Sequence, residues 1–275
     1  MSICAIWGAP QSGKTTLAVN LAYAVSRGDK TVCLISPAAY SEISAFLGVK
    51  IPEEHSLRAA LRGDAGIKQT VFKIDELFYV LAAPSTADTF NGDYTGEQVK
   101  TLLELSHLTF DVVIVDCPSE TNNLIAAWSL NRADTVLLCL GGHTSCVLWY
   151  MANARALQTV RNRAVYVSSE VTSDFDYEAM HRLLNCTPDI RIPFIREAPL
   201  CMLGAAPFAA AGFFSHNGLT LEKFLWAVFE TVVLRGGRRL YKSENQYAEL
   251  LKTHKSLNLK WRKTADENAN APKEN

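Results

Sequence analysis

The chain has 275 residues, a length that suits one large α/β domain or two small ones, and its formal net charge is −1. Apolar residues make up 48% of the chain and charged residues 20%, which excludes the disordered and collagen-like classes. No apolar run reaches the roughly 18 to 20 residues that span a bilayer, and no basic segment precedes an apolar stretch at the N-terminus, so we expect a cytoplasmic protein without an integral membrane segment.

Short apolar runs rich in β-branched residues alternate with helix-like stretches from the N-terminus onward. This alternation is typical of a mostly parallel β-sheet flanked by helices on both faces, and it predicts a three-layer α/β/α fold. The predicted strands cover residues 2–7, 31–36, 77–83, 111–116, 134–140 and 163–169. The predicted helices cover residues 14–28, 97–108 and 148–160, and a further apolar helical stretch covers 217–237.

Residues 8–15 read GAPQSGKT, a complete match to the phosphate-binding pattern GxxxxGK[ST]. The match follows a predicted strand and opens a predicted helix, which is the context that the pattern requires. In such a loop backbone N–H groups face the phosphates, Lys14 reaches the terminal phosphates, and the Thr15 hydroxyl binds Mg²⁺. The alternative is a degenerate loop that has lost its ligand. The predicted nucleotide contacts are Gly8, Ala9, Gln11, Ser12, Gly13, Lys14, Thr15 and Thr16.

A carboxylate is expected opposite the phosphates, at the end of another strand, to help hold the metal. In FDVVIVDCPSE, residues 110–120, four apolar residues lead into Asp116. Asp116 is therefore expected at the carboxyl end of a strand, where ligands bind in open α/β sheets. Asp111 precedes the same strand and is expected at the far edge of the sheet. We predict Thr15 and Asp116 as the metal-side groups, and the alternative for Asp116 is a helix cap or turn acid.

Several segments in the same order resemble the ParA/MinD group of P-loop ATPases, which belongs to the SIMIBI class and carries a deviant Walker A loop. They are GAPQSGKT, the following helix and strand to residue 35, the Walker B-like FDVVIVDCPSE, ADTVLLCL (133–140) and IPFIREA (192–198). The resemblance covers about residues 1–235. It implies the P-loop NTPase fold, ATP with Mg²⁺ as cofactor, and a homodimer that forms around the nucleotide.

Two departures from the group's pattern concern hydrolysis. The group carries a lysine directly after the first glycine of the loop, which reaches the partner's nucleotide, whereas this chain has Ala9. The group also places aspartates after the second strand to position the attacking water, where this chain has Ser36 and Ala38. Glu42, one helical turn away, is a poor substitute. Electrostatic contacts to the transferring phosphoryl group are worth orders of magnitude in rate, so we predict at most a weak ATPase.

The resemblance leaves two functions open. The first is a Mg-ATP-binding switch for positioning, partitioning or assembly, with slow or negligible hydrolysis. The second is a non-catalytic, nucleotide-binding localisation factor for a pilus, secretion or conjugation apparatus. A turnover assay separates the two.

The C-terminal segment differs from the rest of the chain in charge. Residues 235–275 carry ten Lys or Arg against five Asp or Glu, whereas the preceding residues carry 17 against 23. We predict a nucleotide-binding domain over residues 1–237 and a basic, partly helical tail over 238–275 that ends in a disordered segment. Clustered cations bind phosphates by releasing counterions, so the tail is predicted to bind DNA non-specifically; a membrane, a protein partner or a solvated face are the alternatives. Its cations are Arg238, Arg239, Lys242, Lys252, Lys255, Lys260, Arg262 and Lys263.

Overall fold

The computed structural model of the chain describes residues 1–39, 42–63, 65–85, 94–170, 172 and 174–192. Three of the predictions lie outside these residues and stay predictions. They concern the 192–198 segment beyond Ile192, the helical stretch over 217–237, and the basic tail over 238–275 with the domain boundary before it.

Eight strands of the described chain form a single sheet. In chain order they are β1 (Ser2–Gly8), β2 (Val32–Ile35), β3 (Phe72–Lys73), β4 (Phe78–Leu81), β5 (Val112–Asp116), β6 (Thr135–Gly141), β7 (Ala164–Ser169) and β8 (Ile190–Ile192). Their order across the sheet is β3-β4-β2-β5-β1-β6-β7-β8. Only the β3–β4 pair is antiparallel among the described strands, so the predicted mostly parallel sheet is confirmed.

Helices connect most of these strands. In chain order the described helices are α1 (Lys14–Arg27), α2 (Glu42–Leu47), α3 (Leu57–Arg62), α4 (Ile67–Thr70), α5 (Gly96–Thr109), α6 (Leu124–Arg132), α7 (Thr144–Ala152), α8 (Ala154–Val160) and α9 (Tyr177–Leu183). Single 3₁₀ turns cover Glu53–His55 and Arg161–Arg163. The helices predicted over 14–28 and 97–108 are confirmed as α1 and α5. Within the described part of the chain, no helix has both the length and the apolar character needed to cross a bilayer.

Strand side chains alternate between two buried faces of the sheet. In β1, Ile6 belongs to the core that α1 and α2 cover, whereas the neighbouring Trp7 belongs to the core that α3, α5, α6 and α8 cover. Both side chains are fully buried. The two cores confirm the three-layer α/β/α arrangement and explain why the central strands read as nearly continuous apolar runs.

The prediction of one helix over residues 148–160 is wrong, because Asn153 separates α7 from α8. The Asn153 side-chain amide donates to the Trp149 carbonyl at 2.8 Å, and the Asn153 backbone N–H donates to the same oxygen at 3.0 Å. The backbone bond is a regular helix bond, so the interruption lies in the backbone angles of Asn153, with φ of −97° and ψ of 14°. The helical region also begins earlier than predicted, at Thr144.

The strand order brings two loops together beside β1, at the centre of the sheet. The chain leaves β1 for β2 on the β5 side, and it leaves β6 for β7 on the other side. Open α/β sheets bind ligands where connections diverge in this way, outside the carboxyl ends of the strands. The loop between Gly8 and Lys14 and the residues after β6 meet at this point.

Asp111 lies at the opposite, amino end of β5, where the sequence predicts it. Its carboxylate accepts hydrogen bonds from the Thr31 backbone N–H at 2.9 Å and from the Thr31 hydroxyl at 2.8 Å. Although burial acts to raise it, the Thr31 hydrogen bonds and the nearby Lys30 lower the pKa of the Asp111 carboxyl below its ordinary value of 3.8. Asp111 therefore joins the beginnings of β2 and β5 and is remote from the nucleotide loop.

We expect Asp111→Asn to lower the free energy of unfolding at neutral pH by about 1–2 kcal/mol, toward the lower end for hydrogen bonds to a charged group because Asp111 is only partly buried. Because its pKa is lower in the folded state, Asp111 contributes this stability above its unfolded-state pKa near 3.8 and loses it as the pH falls through the folded-state value. Urea denaturation over a pH series should show the gap between variant and parent shrinking in acid. A gap of constant size would contradict the assignment.

Candidate nucleotide-binding site

The loop after β1 is held against the end of β6 by two close backbone approaches. A Cβ atom on Gly8 would lie 2.1 Å from the Cys139 carbonyl oxygen, and one on Gly141 would lie 2.8 Å from the Ser12 Cα. The Ala9 N–H donates to the Cys139 carbonyl at 3.3 Å. Only glycine fits at Gly8 and Gly141 without displacing the backbone, so the sheet itself determines where the loop lies.

The loop turns sharply into α1 and leaves the start of that helix open to an anion. Gln11 and Gly13 adopt left-handed backbone conformations, with φ of 56° and 78°. Gly13 is the N-cap of α1, and no side chain caps the first turn. The N–H groups of Lys14, Thr15 and Thr16 therefore form the positive end of a 14-residue helix, which favours phosphate.

Lys14 carries its charge into the interior of the loop. The side chain is buried, and its ammonium donates to the Ala9 carbonyl and to the Ser119 hydroxyl, both at 2.8 Å. Burial lowers the pKa of Lys14, although the nearby Cys139, Asp116 and Glu120 act in the opposite direction. A buried ammonium needs acceptors, because removing it from water is costly.

Thr15 and Asp116, the predicted metal-side pair, are in direct contact. The Thr15 hydroxyl donates to the Asp116 Oδ2 at 2.8 Å. Burial raises the pKa of Asp116 to about 6 and the like charge of Glu42 adds to this, while the Thr15 hydrogen bond and Lys14 lower it. A cation beside Asp116 would favour the charged carboxylate.

The chemistry of this pair fits Mg²⁺ that is bound together with phosphate. Mg²⁺ takes oxygen ligands, usually keeps several waters, and is held by one or two protein groups plus substrate phosphates. Thr15 and Asp116 supply a hydroxyl and a carboxylate of this kind. Across the described ranges, no cluster of three or more His, Cys, Asp or Glu side chains forms a self-sufficient metal site.

Four residues that make contacts around the loop were not predicted from the sequence. Ser119 lies after β5 and accepts from Lys14, and its carbonyl accepts from the Trp149 indole N–H at 3.0 Å. Asn123 caps α6, and its amide donates to the Pro37 carbonyl at 3.0 Å, which joins the loop after β5 to the loop after β2. No pattern in the sequence points to these contacts.

The positions that depart from the ParA/MinD pattern lie close to the loop. The Ala9 side chain is fully buried in a small cluster with Leu140 and Cys146. Ser36 is buried directly after β2, and its N–H donates to the Leu81 carbonyl. Glu42 begins α2 and is exposed.

Comparison with known proteins agrees with this geometry. The model of a family described as an AAA domain matches residues 8–147, half of the chain. An uncharacterized ATP-binding protein of Methanocaldococcus jannaschii is 32% identical over 117 residues, which cover 42% of this chain and 44% of that protein. The septum site-determining protein MinD of Bacillus subtilis is 29% identical over 111 residues, covering 39% of this chain and 41% of MinD. The chain thus spans less than half the length of these curated relatives.

Among solved structures, MinD from Pyrococcus horikoshii complexed with Mg-ADP is similar over most of both chains. The TM-score is 0.66 with 17% sequence identity, and the match covers 86% of this chain and 99% of that chain. At this identity the structural likeness establishes the fold, and the family match establishes the relationship. The chain therefore belongs to the AAA domain family and is a ParA/MinD-like member of the P-loop ATPases.

Proposed function

We propose that this protein binds Mg-ATP and acts as a positioning, partitioning or assembly switch with slow or negligible hydrolysis. One observation carries the proposal: the Lys14 ammonium and the bonded Thr15–Asp116 pair meet at the carboxyl ends of β1 and β5. A P-loop protein uses a lysine ammonium to bind phosphate, and it uses a hydroxyl and a carboxylate to hold the metal.

Each group has a distinct task in this proposal. The first N–H groups of α1 and the Lys14 ammonium bind the phosphate oxygens. The Thr15 hydroxyl contacts the metal, and Asp116 orients that hydroxyl from behind. Mg²⁺ supplies charge neutralisation between the phosphates. An adenine nucleotide is supported by the M. jannaschii relative, which is named as ATP-binding, and by the MinD structure with Mg-ADP.

The surroundings of the loop support slow hydrolysis. The family lysine would cross to a partner's nucleotide, but Ala9 is neutral and its side chain faces a buried cluster. Ser36 and Ala38, after β2, carry no charge. Phosphoryl transfer depends on positioned charges and an oriented nucleophile. The absence of the family's lysine and aspartates therefore affects the rate of hydrolysis much more than the affinity for the nucleotide.

The assembly in this proposal is a homodimer that forms around the nucleotide, as the family resemblance implies. The second candidate function, a non-catalytic localisation factor, is favoured by the same neutral residues at positions 9, 36 and 38. Both functions need nucleotide binding, and only the first needs turnover.

Lys14→Ala should weaken Mg-ATP binding by about 100-fold, since removing one partner of a buried charge contact costs roughly 2–5 kcal/mol. Isothermal titration calorimetry of the parent should show saturable binding. Lys68→Ala, which removes an exposed lysine on α4, is the matched control and should bind like the parent. Unchanged affinity in Lys14→Ala would refute the proposed site.

Asp116→Asn and Asp111→Asn form a second matched pair, because the two carboxylates lie at opposite ends of β5. Asp116→Asn should reduce the Mg²⁺-dependent part of ATP affinity by about 10- to 100-fold, the range for residues that orient a metal ligand. Asp111→Asn should leave that affinity unchanged while lowering stability. Equal losses of Mg²⁺-dependent affinity in the two variants would argue against a metal beside Asp116.

Turnover of the purified protein should be on the order of 10⁻³ s⁻¹ or slower, the range of P-loop enzymes without a trans-acting cation. Phosphate release would be measured alone, with duplex DNA and with anionic vesicles, using Lys14→Ala as background. Stimulation by either polyanion would favour the switch, and its absence would favour the localisation factor. Fast release by the protein alone, lost in Lys14→Ala, would show that another residue supplies the missing charge.

A further inference from the structure

Cys186 is the one cysteine in the described part of the chain that is not fully buried. It lies half-buried in the turn between α9 and β8. Asn185, directly before it, has a left-handed backbone with φ of 49°, and the Cys186 N–H donates to the His181 carbonyl at 3.1 Å. The turn therefore brings the Cys186 thiol back against the last turn of α9. The fully buried cysteines of the described chain are Cys4, Cys33, Cys117, Cys139 and Cys146.

The His181 imidazole lies between this thiol and a hydroxyl. Its Nδ1 is 3.6 Å from the Cys186 Sγ, and its Nε2 is 2.9 Å from the Ser168 Oγ. His181 and Ser168 are buried, with 4% and 1% of their surface exposed. The three side chains come from β7, α9 and the turn after α9, and they contact one another in the order hydroxyl, imidazole, thiol. A nucleophile beside a base that a third group orients is the arrangement of an activated nucleophile.

The protonation of the pair follows from its burial. Burial raises the pKa of the Cys186 thiol to about 11 and lowers the pKa of His181 below its ordinary value of 6.5. Arg191 also lowers the pKa of His181, whereas Glu178, which forms an ion pair with Arg191 at 2.6 Å, acts to raise it. At neutral pH the Cys186 S–H therefore donates to a neutral imidazole, whose Nε2–H donates to Ser168. This tautomer leaves Nδ1 free to accept the thiol proton.

The other titratable groups that face Cys186 are uncharged at neutral pH. Tyr150 on α7 and Tyr166 on β7 have their hydroxyls 3.3 Å apart, and burial raises the pKa of Tyr150, with a further contribution from Cys186. Burial likewise raises the pKa of Cys146 on α7, and Cys186 adds to this. A buried thiol with no base stays protonated and inert at neutral pH. His181 is the group in this set that can take the proton from Cys186.

We propose that Cys186 is a site of thiol–disulfide exchange with a small disulfide, with His181 as the base and Ser168 as the residue that positions it. The Cys186 sulfur attacks one sulfur of the disulfide RSSR while its proton passes to Nδ1 of His181. The S–S bond breaks, the leaving thiolate takes that proton and departs as RSH, and Cys186 remains as the mixed disulfide. The small disulfide is itself the oxidant, and displacement at sulfur needs no group to stabilise an oxyanion. The site is independent of the proposed nucleotide binding.

The test uses the reduced full chain with excess oxidised glutathione and no nucleotide. Intact-protein mass spectrometry follows the rate of mixed-disulfide formation, and peptide mapping identifies the modified cysteine. The parent should be modified at Cys186, and Cys186→Ser should lose that product. Cys201 lies outside the described residues, so Cys201→Ala is the matched control and should leave the rate at Cys186 unchanged.

Two variants test the base and the residue that positions it. His181→Gln should slow modification of Cys186 at pH 7 by about 100-fold, the lower end of general acid–base catalysis. Ser168→Ala should slow it by about fivefold, the effect of one neutral hydrogen bond. A variant that misfolds would expose the thiol and restore its pKa toward the ordinary value of about 8.5, so it would react faster. Slower modification in these variants therefore has no explanation in lost folding.

The pH dependence of the rate distinguishes a base from a merely structural histidine. With His181 as base, the rate at Cys186 should rise through the lowered pKa of His181 and level off between about pH 7 and 9. In His181→Gln it should climb about tenfold per pH unit over that range, because only the thiolate reacts. A parent rate that climbs in the same way, or that Ser168→Ala leaves unchanged, would overturn the roles of the two residues. A parent without mixed disulfide at Cys186 would overturn the site, and the nucleotide assignment would be unaffected.

Discussion

The site depends on one constraint, the buried ammonium of Lys14. A cation away from water requires acceptors at short range, and the Ala9 carbonyl and the Ser119 hydroxyl meet this need. Ala9 is held because its N–H bonds to the end of β6, and Ser119 is held because its carbonyl bonds to Trp149. The ends of β1, β5 and β6 and the helix α7 are thus connected around the single charge of Lys14.

The rigid sheet makes this arrangement possible. β1, β5 and β6 are buried on both faces, so their carboxyl ends present backbone and polar side chains at fixed positions. The absence of side chains at Gly8 and Gly141 lets the loop touch β6 directly. The packing of the strands therefore fixes the position of the loop. Open α/β sheets bind ligands at this edge, outside the carboxyl ends of their strands.

Local signals in the sequence predicted most of the fold and the central groups of the site. The apolar runs located the long strands and predicted Asp116 at the carboxyl end of one of them, where the structure has it in contact with Thr15. The two-residue β3 and three-residue β8 were missed because so few residues show no periodicity. The break at Asn153 was missed because the apolar periodicity continues across a single residue with non-helical backbone angles. Ser119 was missed because no pattern in the sequence marks that serine as a partner of Lys14.

Binding and hydrolysis are separable in this fold because they use different elements. In the proposed site the phosphate and metal groups come from the loop, α1 and the end of β5, whereas the resemblance assigns the family's catalytic charges to the second loop position and the segment after β2. In this chain the second loop position is a buried alanine, and the segment after β2 is tied through Pro37 to Asn123. Under the proposed function, a site that keeps the first set and lacks the second would respond to nucleotide concentration through occupancy, and dissociation would set the lifetime of the bound state.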